Sequence, residues 1–197
     1  MKEVYYLCSG QLETMTYFVP FSKDELLVID PGGDFFEINS LIKEIGIEPA
    51  ICLLTHSHAD HVASLGELKK TYPKMKILAH EAEKNLYGPG SLEEQCMQTP
   101  EVAPDLLHAD LPPLDGCLKD DDIIAANWKV IHTPGHTPGS ICLYNEEKRI
   151  LFTGDTYFEK NIYGRTDFYG GSKWQLFESL KKLEPYLKQA KYIYPGH

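Results

Sequence analysis

Apolar positions along the chain follow two rhythms, and the points where one gives way to the other mark its elements. Residues 4–8, 16–19 and 26–29 are short runs of aromatic and branched side chains that read as strands. The third stops at Asp30-Pro31-Gly32-Gly33, a sequence that has to turn. Over residues 37–45 the period changes. Ile38, Leu41, Ile42 and Ile45 recur at i, i+3, i+4 and i+7, the spacing of one helix face. Residues 51–55 form a continuous apolar run, as expected of a strand covered on both sides. A second helix is predicted over residues 62–72, with Val62, Leu65 and Leu68 inward and Pro73 closing it. Residues 87–115, rich in Pro, Gly and acidic side chains, show no clean period and read as a long surface excursion with a short helix near Leu92. Strands follow at 129–132, 141–144, 150–153 and 192–194. Between the last two, Ser172 and Gln175 open a helix whose inward stripe is read as Trp174, Phe177, Leu180, Leu183 and Leu187, with Pro185 bending or dividing its last turns. The two halves share this grammar and no Ser/Gly-rich linker parts them, which predicts one α/β domain over residues 1–197.

Composition narrows the partners. Against 19 Lys plus Arg stand 29 Asp plus Glu, a formal net charge of −10 with no basic block, so neither nucleic acid nor an anionic membrane surface is an expected partner. No apolar run approaches the ~20 residues of a membrane-spanning helix. The amino terminus lacks the apolar core of a secretion signal, so a cytoplasmic location is expected. The five cysteines are odd in number and form no C-x-x-C pair, so no disulfide framework or thiolate metal site is expected. Cys52 and Cys142, in apolar runs, read as small buried hydrophobes.

The histidines are not scattered. Four clusters close predicted strands: Thr55-His56-Ser57-His58-Ala59-Asp60-His61, Thr133-Pro134-Gly135-His136-Thr137-Pro138-Gly139, Thr153-Gly154-Asp155-Thr156 and Tyr194-Pro195-Gly196-His197. Loops at strand ends converge on one crevice, and imidazole with carboxylate, without thiolate, is the donor set of zinc or of mixed iron and manganese sites. With 8 histidines among 197 residues, an H-x-H-x-D-H string arises by chance in roughly one such chain in a thousand. His132 ends a strand and reads as structural, while His80 and His108 lie outside the clusters and read as surface or structural.

H-x-H-x-D-H followed by a later His, a Gly-Asp and a final Gly-His resembles the metallo-β-lactamase fold superfamily, and within it the short glyoxalase II-like (hydroxyacylglutathione hydrolase-like) branch. The resemblance implies a four-layer αβ/βα sandwich with a metal site at one edge of two packed sheets. It implies two divalent ions, zinc foremost with iron or manganese as alternatives: one on His56, His58 and His136, the other on Asp60, His61 and His197, with Asp155 bridging. Two such ions close together lower the pKa of a water between them and act as Lewis acids. Asp30 matches a carboxylate near the site that orients a ligand.

The implied reaction is hydrolysis of a small anionic acyl or thioester substrate of the S-lactoylglutathione type, with Asp60 and Asp155 as catalytic carboxylates. Residues 164–171 resemble the G-R-x-D-x-x-G-G loop of the short branch, and Arg165 matches a lysine that contacts glutathione in larger members. Arg165 is therefore the implied substrate-binding residue, with an internal Arg165–Asp167 ion pair as the open alternative. The helical domain that follows the Gly-His in larger members is not within residues 1–197. Other members of the superfamily define the rival readings. A persulfide dioxygenase uses one iron and carries a similar G-R-T-D-F string, but typically Pro-Ala-His where this chain has Pro195-Gly196-His197. A non-catalytic scaffold member would be expected to have lost ligands. Oligomeric state is left open.

Overall fold

The structure, a computed structural model, describes residues 3–101 and 103–197. Its layering starts from strand β3 (Leu26–Ile29), which is buried throughout. Leu27 and Ile29 pack with Val19, Leu53, Val130, Leu143 and Phe152, whereas Leu26 and Val28 pack with Ile38, Ile42 and Leu68. Successive side chains of a strand point to opposite faces, so this apolar run needs a cover on each side.

One cover is a helical layer. Helix α1 (Phe35–Ile45) starts where Asp34 Oδ1 accepts from the backbone N–H of Phe36 and Glu37, and stops at Gly46, whose φ of 74° suits glycine. The sheet beneath it runs β1 (Tyr5–Ser9), β2 (Thr14–Pro20), β3, β4 (Pro49–Leu53), β5 (Lys76–His80), β6 (Gly116–Leu118), antiparallel up to β3 and parallel from β3 onward. The other cover is a second sheet, β11 (Tyr192–Pro195), β10 (Ile150–Gly154), β9 (Ile141–Asn145), β8 (Trp128–His132), β7 (Ile123–Ile124), parallel only between β10 and β11. Trp128, Phe152 and Tyr17 meet between the sheets at ring-centroid distances of 5.0–5.2 Å. The final 17-residue helix packs on the outer face of the second sheet, its Leu183 against Ile131, Cys142, Tyr144 and Leu151. The order is therefore helix, sheet, sheet, helix, the αβ/βα sandwich that the family resemblance implies.

Departures from the expected elements have local causes. The helix expected over residues 62–72 is two, α2 (Ala59–Val62) and α3 (Leu65–Thr71). Ser64 between them gives its N–H to Pro31 O and its hydroxyl to Gly33 O, bonds that tie it to the 30–33 turn instead of to one continuous helix. Residues 87–115 are more than a surface excursion. They contain α4 (Ser91–Gln98) and α5 (Ala103–Leu106), and Tyr87, Leu107 and Leu111 are anchored one by one in the core. β5, β6 and β7, of five, three and two residues, are unanticipated. The last helix, α6 (Lys173–Gln189), runs unbroken through Pro185. Its buried stripe is Leu176, Ser179 and Leu183, so Trp174 (69% exposed) and Phe177 (52%) face outward, against expectation. The inward stripe is phased by the Leu176–Leu183 row, which a count of large apolar residues does not reveal. Cys52 and Cys142 are buried as expected. Among the described residues no helix is long and apolar enough to cross a membrane.

The phase of α6 is testable by denaturant unfolding. Leu183→Ala is expected to cost about 2–4 kcal/mol as a fully packed leucine, whereas Trp174→Ala is expected to stay within about 0.5 kcal/mol.

Candidate metal centre

Chain geometry delivers the four clusters to one edge of the sandwich. Residues 55–61 leave the end of β4 beside the Asp30 turn that ends β3, and Gly154-Asp155 and Gly196-His197 leave the parallel neighbours β10 and β11. His136 enters from the loop between β8 and β9. The ligand-capable atoms of His56, His58 and His136 lie within 4.8 Å of one another, as do those of Asp60, His61 and His197. Asp155 stands between the two groups, with Oδ2 3.4 Å from His136 Nε2 and Oδ1 3.4 Å from His61 Nε2. All seven residues read from the sequence are thus brought together.

Hydrogen bonds set the imidazole orientations. Asp30 Oδ1 accepts from Thr55 N at 2.7 Å and its Oδ2 from Thr55 Oγ1 at 2.6 Å and His61 Nδ1 at 3.0 Å. Both Asp30 oxygens are thereby engaged, so Asp30 orients His61. His136 Nδ1 donates to Arg165 O at 2.7 Å and His197 Nδ1 to Leu12 O at 2.9 Å. Carbonyl and carboxylate oxygens only accept, so the proton sits on Nδ1 in all three rings and each Nε2 turns its lone pair into the site.

These residues fit a cation. His61 Nε2 and His197 Nε2 face each other at 3.3 Å, with Asp60 Oδ2 3.5 Å from the first and 3.3 Å from the second. Two acceptor nitrogens so placed among carboxylates need a proton or a metal ion between them. The other group shows the same need, because His56 Nε2, His136 Nε2 and Asp155 Oδ1 are buried without a hydrogen-bond partner. Each such atom costs roughly 1–3 kcal/mol if left unpaired. Space is equally committed. A Cβ on Gly196 would lie 2.1 Å from Asp155 Oδ1 and 2.9 Å from His61 Cε1, so a side chain there would displace both.

The electrostatics differ between the groups. Burial, reinforced by neighbouring imidazoles, holds His56 well below its ordinary value, and burial does the same to His58 and, less strongly, to His136. These rings are neutral donors. Burial also pulls His61 down, yet Asp60, Asp155 and Asp30 outweigh it and lift it to about 10. Burial pushes the Asp60 carboxyl up, and His61, His197 and His58 together reverse this and hold it well below the usual range. Without a metal, a proton on His61 balances the carboxylates.

Two supporting residues carry no sequence signal beyond their ordinary polar identity. Gln95 of α4 donates from Nε2 to Ser57 O at 2.8 Å, bracing the ligand loop. Glu83 is buried and accepts from Gly139 N at 3.1 Å, with Ser57 and Thr137 beside its carboxyl, so one carboxylate sits between the loops of His56 and His136. Burial raises its pKa. Arg165 lines the cavity over the two His/Asp groups, but its guanidinium is paired with Asp167, the alternative left open by the sequence. His80 and His132 stack on each other at 3.8 Å outside these groups, and His108 is exposed.

A family model described as the metallo-beta-lactamase superfamily matches residues 10–197. The probable metallo-hydrolase YqgX of Bacillus subtilis (strain 168) is 31% identical over 191 residues, covering 95% of this chain and 86% of its own. The hydroxyacylglutathione hydrolase GloC of Haemophilus influenzae is 34% identical over 180 residues, covering 86% of this chain and 78% of its own. The crystal structure of TTHA1623 in a di-iron-bound form is similar with a TM-score of 0.83 at 28% identity, covering 98% of this chain and 91% of that one.

Two outcomes follow from the geometry. Asp30→Asn, which removes the anionic acceptor for His61, is expected to weaken metal binding about 10–100-fold, read by chelator competition; unchanged affinity would deny Asp30 its orienting role. Because His61 is lifted from 6.5 to about 10, its proton stabilises the metal-free fold fully below 6.5 and that contribution fades as pH rises through 10. Near neutral pH a divalent ion must expel that proton. Calorimetric titration in buffers of different ionisation enthalpy is expected to show proton release, with affinity rising as pH rises.

Proposed function

The chain belongs to the metallo-beta-lactamase superfamily, and from that premise we propose that it is a metal-dependent hydrolase of thioesters or similar acyl compounds, related in activity to hydroxyacylglutathione hydrolases. The observation that carries this reading is the opening of both His/Asp groups into one cavity of about 340 Å³. The similarity to GloC supports the choice of a thioester. His56, His58 and His136 would hold one divalent ion and Asp60, His61 and His197 a second, with Asp155 between them. The oxygen and nitrogen donors suit zinc, with iron or manganese as alternatives. Bound there, such ions supply Lewis acidity and a water of lowered pKa.

The chain's own groups do the rest. Asp60 and Asp155 border the cavity and offer carboxylate oxygens to orient the attacking water, whose proton passes to the departing thiolate. Attack on the acyl carbon breaks the carbon–sulfur bond, and the departing thiolate takes up a proton. Leu12, Phe158, Tyr163 and Phe168 wall the same cavity, holding apolar parts of the acyl compound and limiting water access. Asp30, Arg165 O and Leu12 O keep the imidazoles aimed throughout. The expected partner is a small acyl compound.

Purified protein assayed side by side with S-lactoylglutathione, simple thioesters and glutathione persulfide is expected to hydrolyse a thioester while holding about two metals per chain. Chelation or His58→Ala is expected to abolish turnover. One tightly held iron per chain with oxygen uptake on the persulfide would replace this reading with a dioxygenase.

A further inference from the structure

Four of the five clustered imidazoles are aimed by a hydrogen bond at Nδ1: His56 pairs with Thr55 Oγ1 at 3.1 Å, and His61, His136 and His197 pair with Asp30, Arg165 O and Leu12 O. His58 has no such bond among the described residues. Its ring stands edge-on to those of His56, His136 and Phe168 at 4.8, 4.5 and 5.3 Å. Ring packing sets an angle less sharply than a hydrogen bond, so the aim of His58 has to come from its backbone.

That backbone is clamped at Ser57. Its carbonyl accepts from Gln95 Nε2 at 2.8 Å, and Gln95 is buried. Glu83, also buried, brings its carboxyl beside Ser57 while accepting from Gly139 N at 3.1 Å in the loop of His136. The fit is close, since a Cβ on Gly139 would lie 2.6 Å from Glu83 Cγ and 2.8 Å from its Cδ. The turn that carries Glu83, Glu81–Leu86, is fastened to the same loop. It starts where His80 Nδ1 accepts from Ala82 N at 3.3 Å; His80 stacks on His132 at 3.8 Å, and His132 Nε2 donates to Pro138 O at 3.0 Å. Among the described residues no hydrogen bond or ion pair joins Glu83 or Gln95 to Asp60, His61 or His197.

We propose that Glu83 and Gln95 are positioning residues for His58: they hold Ser57 in place against the His136 loop and thereby set the affinity of the ion that His56, His58 and His136 would hold, independently of the other. The inference deepens the reading above and rests on its two ions, not on its substrate. A metal ion is sensitive to such support because its donors must converge to within a few tenths of an ångström, and groups that act through a ligand govern affinity nearly as strongly as the ligands do.

The test measures stepwise zinc binding by chelator competition in wild type, Glu83→Ala, Glu83→Gln, Gln95→Ala and His58→Ala, with thermal unfolding of each metal-free protein alongside. His58→Ala removes a donor of the first group, so the binding step it abolishes marks that ion. Glu83→Ala and Gln95→Ala are each expected to weaken that step about tenfold and to leave the other within about twofold. Glu83→Gln, which keeps the side-chain shape and a carbonyl acceptor for Gly139 N, is expected to recover most of the loss. An unchanged first step, an equal fall in both steps, or a Glu83→Gln no tighter than Glu83→Ala overturns the proposal. A lowered unfolding temperature with zinc affinity intact does so too, because it marks a purely structural role. If Glu83→Ala does not fold, Gln95→Ala, which removes one hydrogen bond, is read by the same criteria. If wild type takes up a single ion, the two-ion reading fails. Glu83 and Gln95 then keep their role if that ion is lost in His58→Ala and weakened in the alanine variants, and lose it otherwise.

Discussion

Three imidazoles commit their Nδ1 protons to fixed acceptors, and the centre depends on that commitment. Asp30 takes the proton of His61, Arg165 O that of His136 and Leu12 O that of His197. The acceptors come from three separate parts of the chain: the end of β3, the loop before α6 and the turn between β1 and β2. Once they are in place, the Nε2 atoms have nowhere to point except at one another and at Asp60 and Asp155. The arrangement is unfavourable by itself, because lone pairs and buried unpartnered atoms face each other. It becomes favourable when positive charge enters, as a proton on His61 or as a metal ion.

The sandwich exists, in this respect, to hold those acceptors still. Leu27 and Ile29 of β3 are locked between the sheets, so the Asp30 turn at the strand's end is set by core packing and not by loop preference. Met15 N donates to Gly196 O, and Tyr17 gives its hydroxyl to Pro195 O at 2.6 Å, which pins the segment carrying His197 against β2. The glycine at 196 is a consequence of the same crowding.

Most of this was legible in the sequence where one residue type carries one meaning. Histidine and aspartate at strand ends mark the ligand clusters, because few other roles place so many imidazoles together. The 3.6-residue period of α1 and the apolar runs of β3 and β4 mark the layers. β6 and β7, of three and two residues, were not legible, since strands that short are defined by their neighbours, and β5, although as long as β4, offers only the three-residue apolar run Ile77-Leu78-Ala79 between Lys76 and His80. The outward turn of Trp174 and Phe177 was hidden because an aromatic stripe on a helix can satisfy the same spacing as the buried one. Gln95 and Glu83 are ordinary polar residues in sequence, and only their burial against Ser57 gives them meaning. Arg165 was found, while its partnership with Asp167 could be posed from sequence but not decided.

Anomalous diffraction at the metal absorption edges of the metal-loaded protein tests the central claim most directly. The account predicts two peaks, one coordinated by His56, His58 and His136 and one by Asp60, His61 and His197, with Asp155 reaching both and Asp30 bound to neither. A single peak, or direct coordination by Asp30, would contradict it.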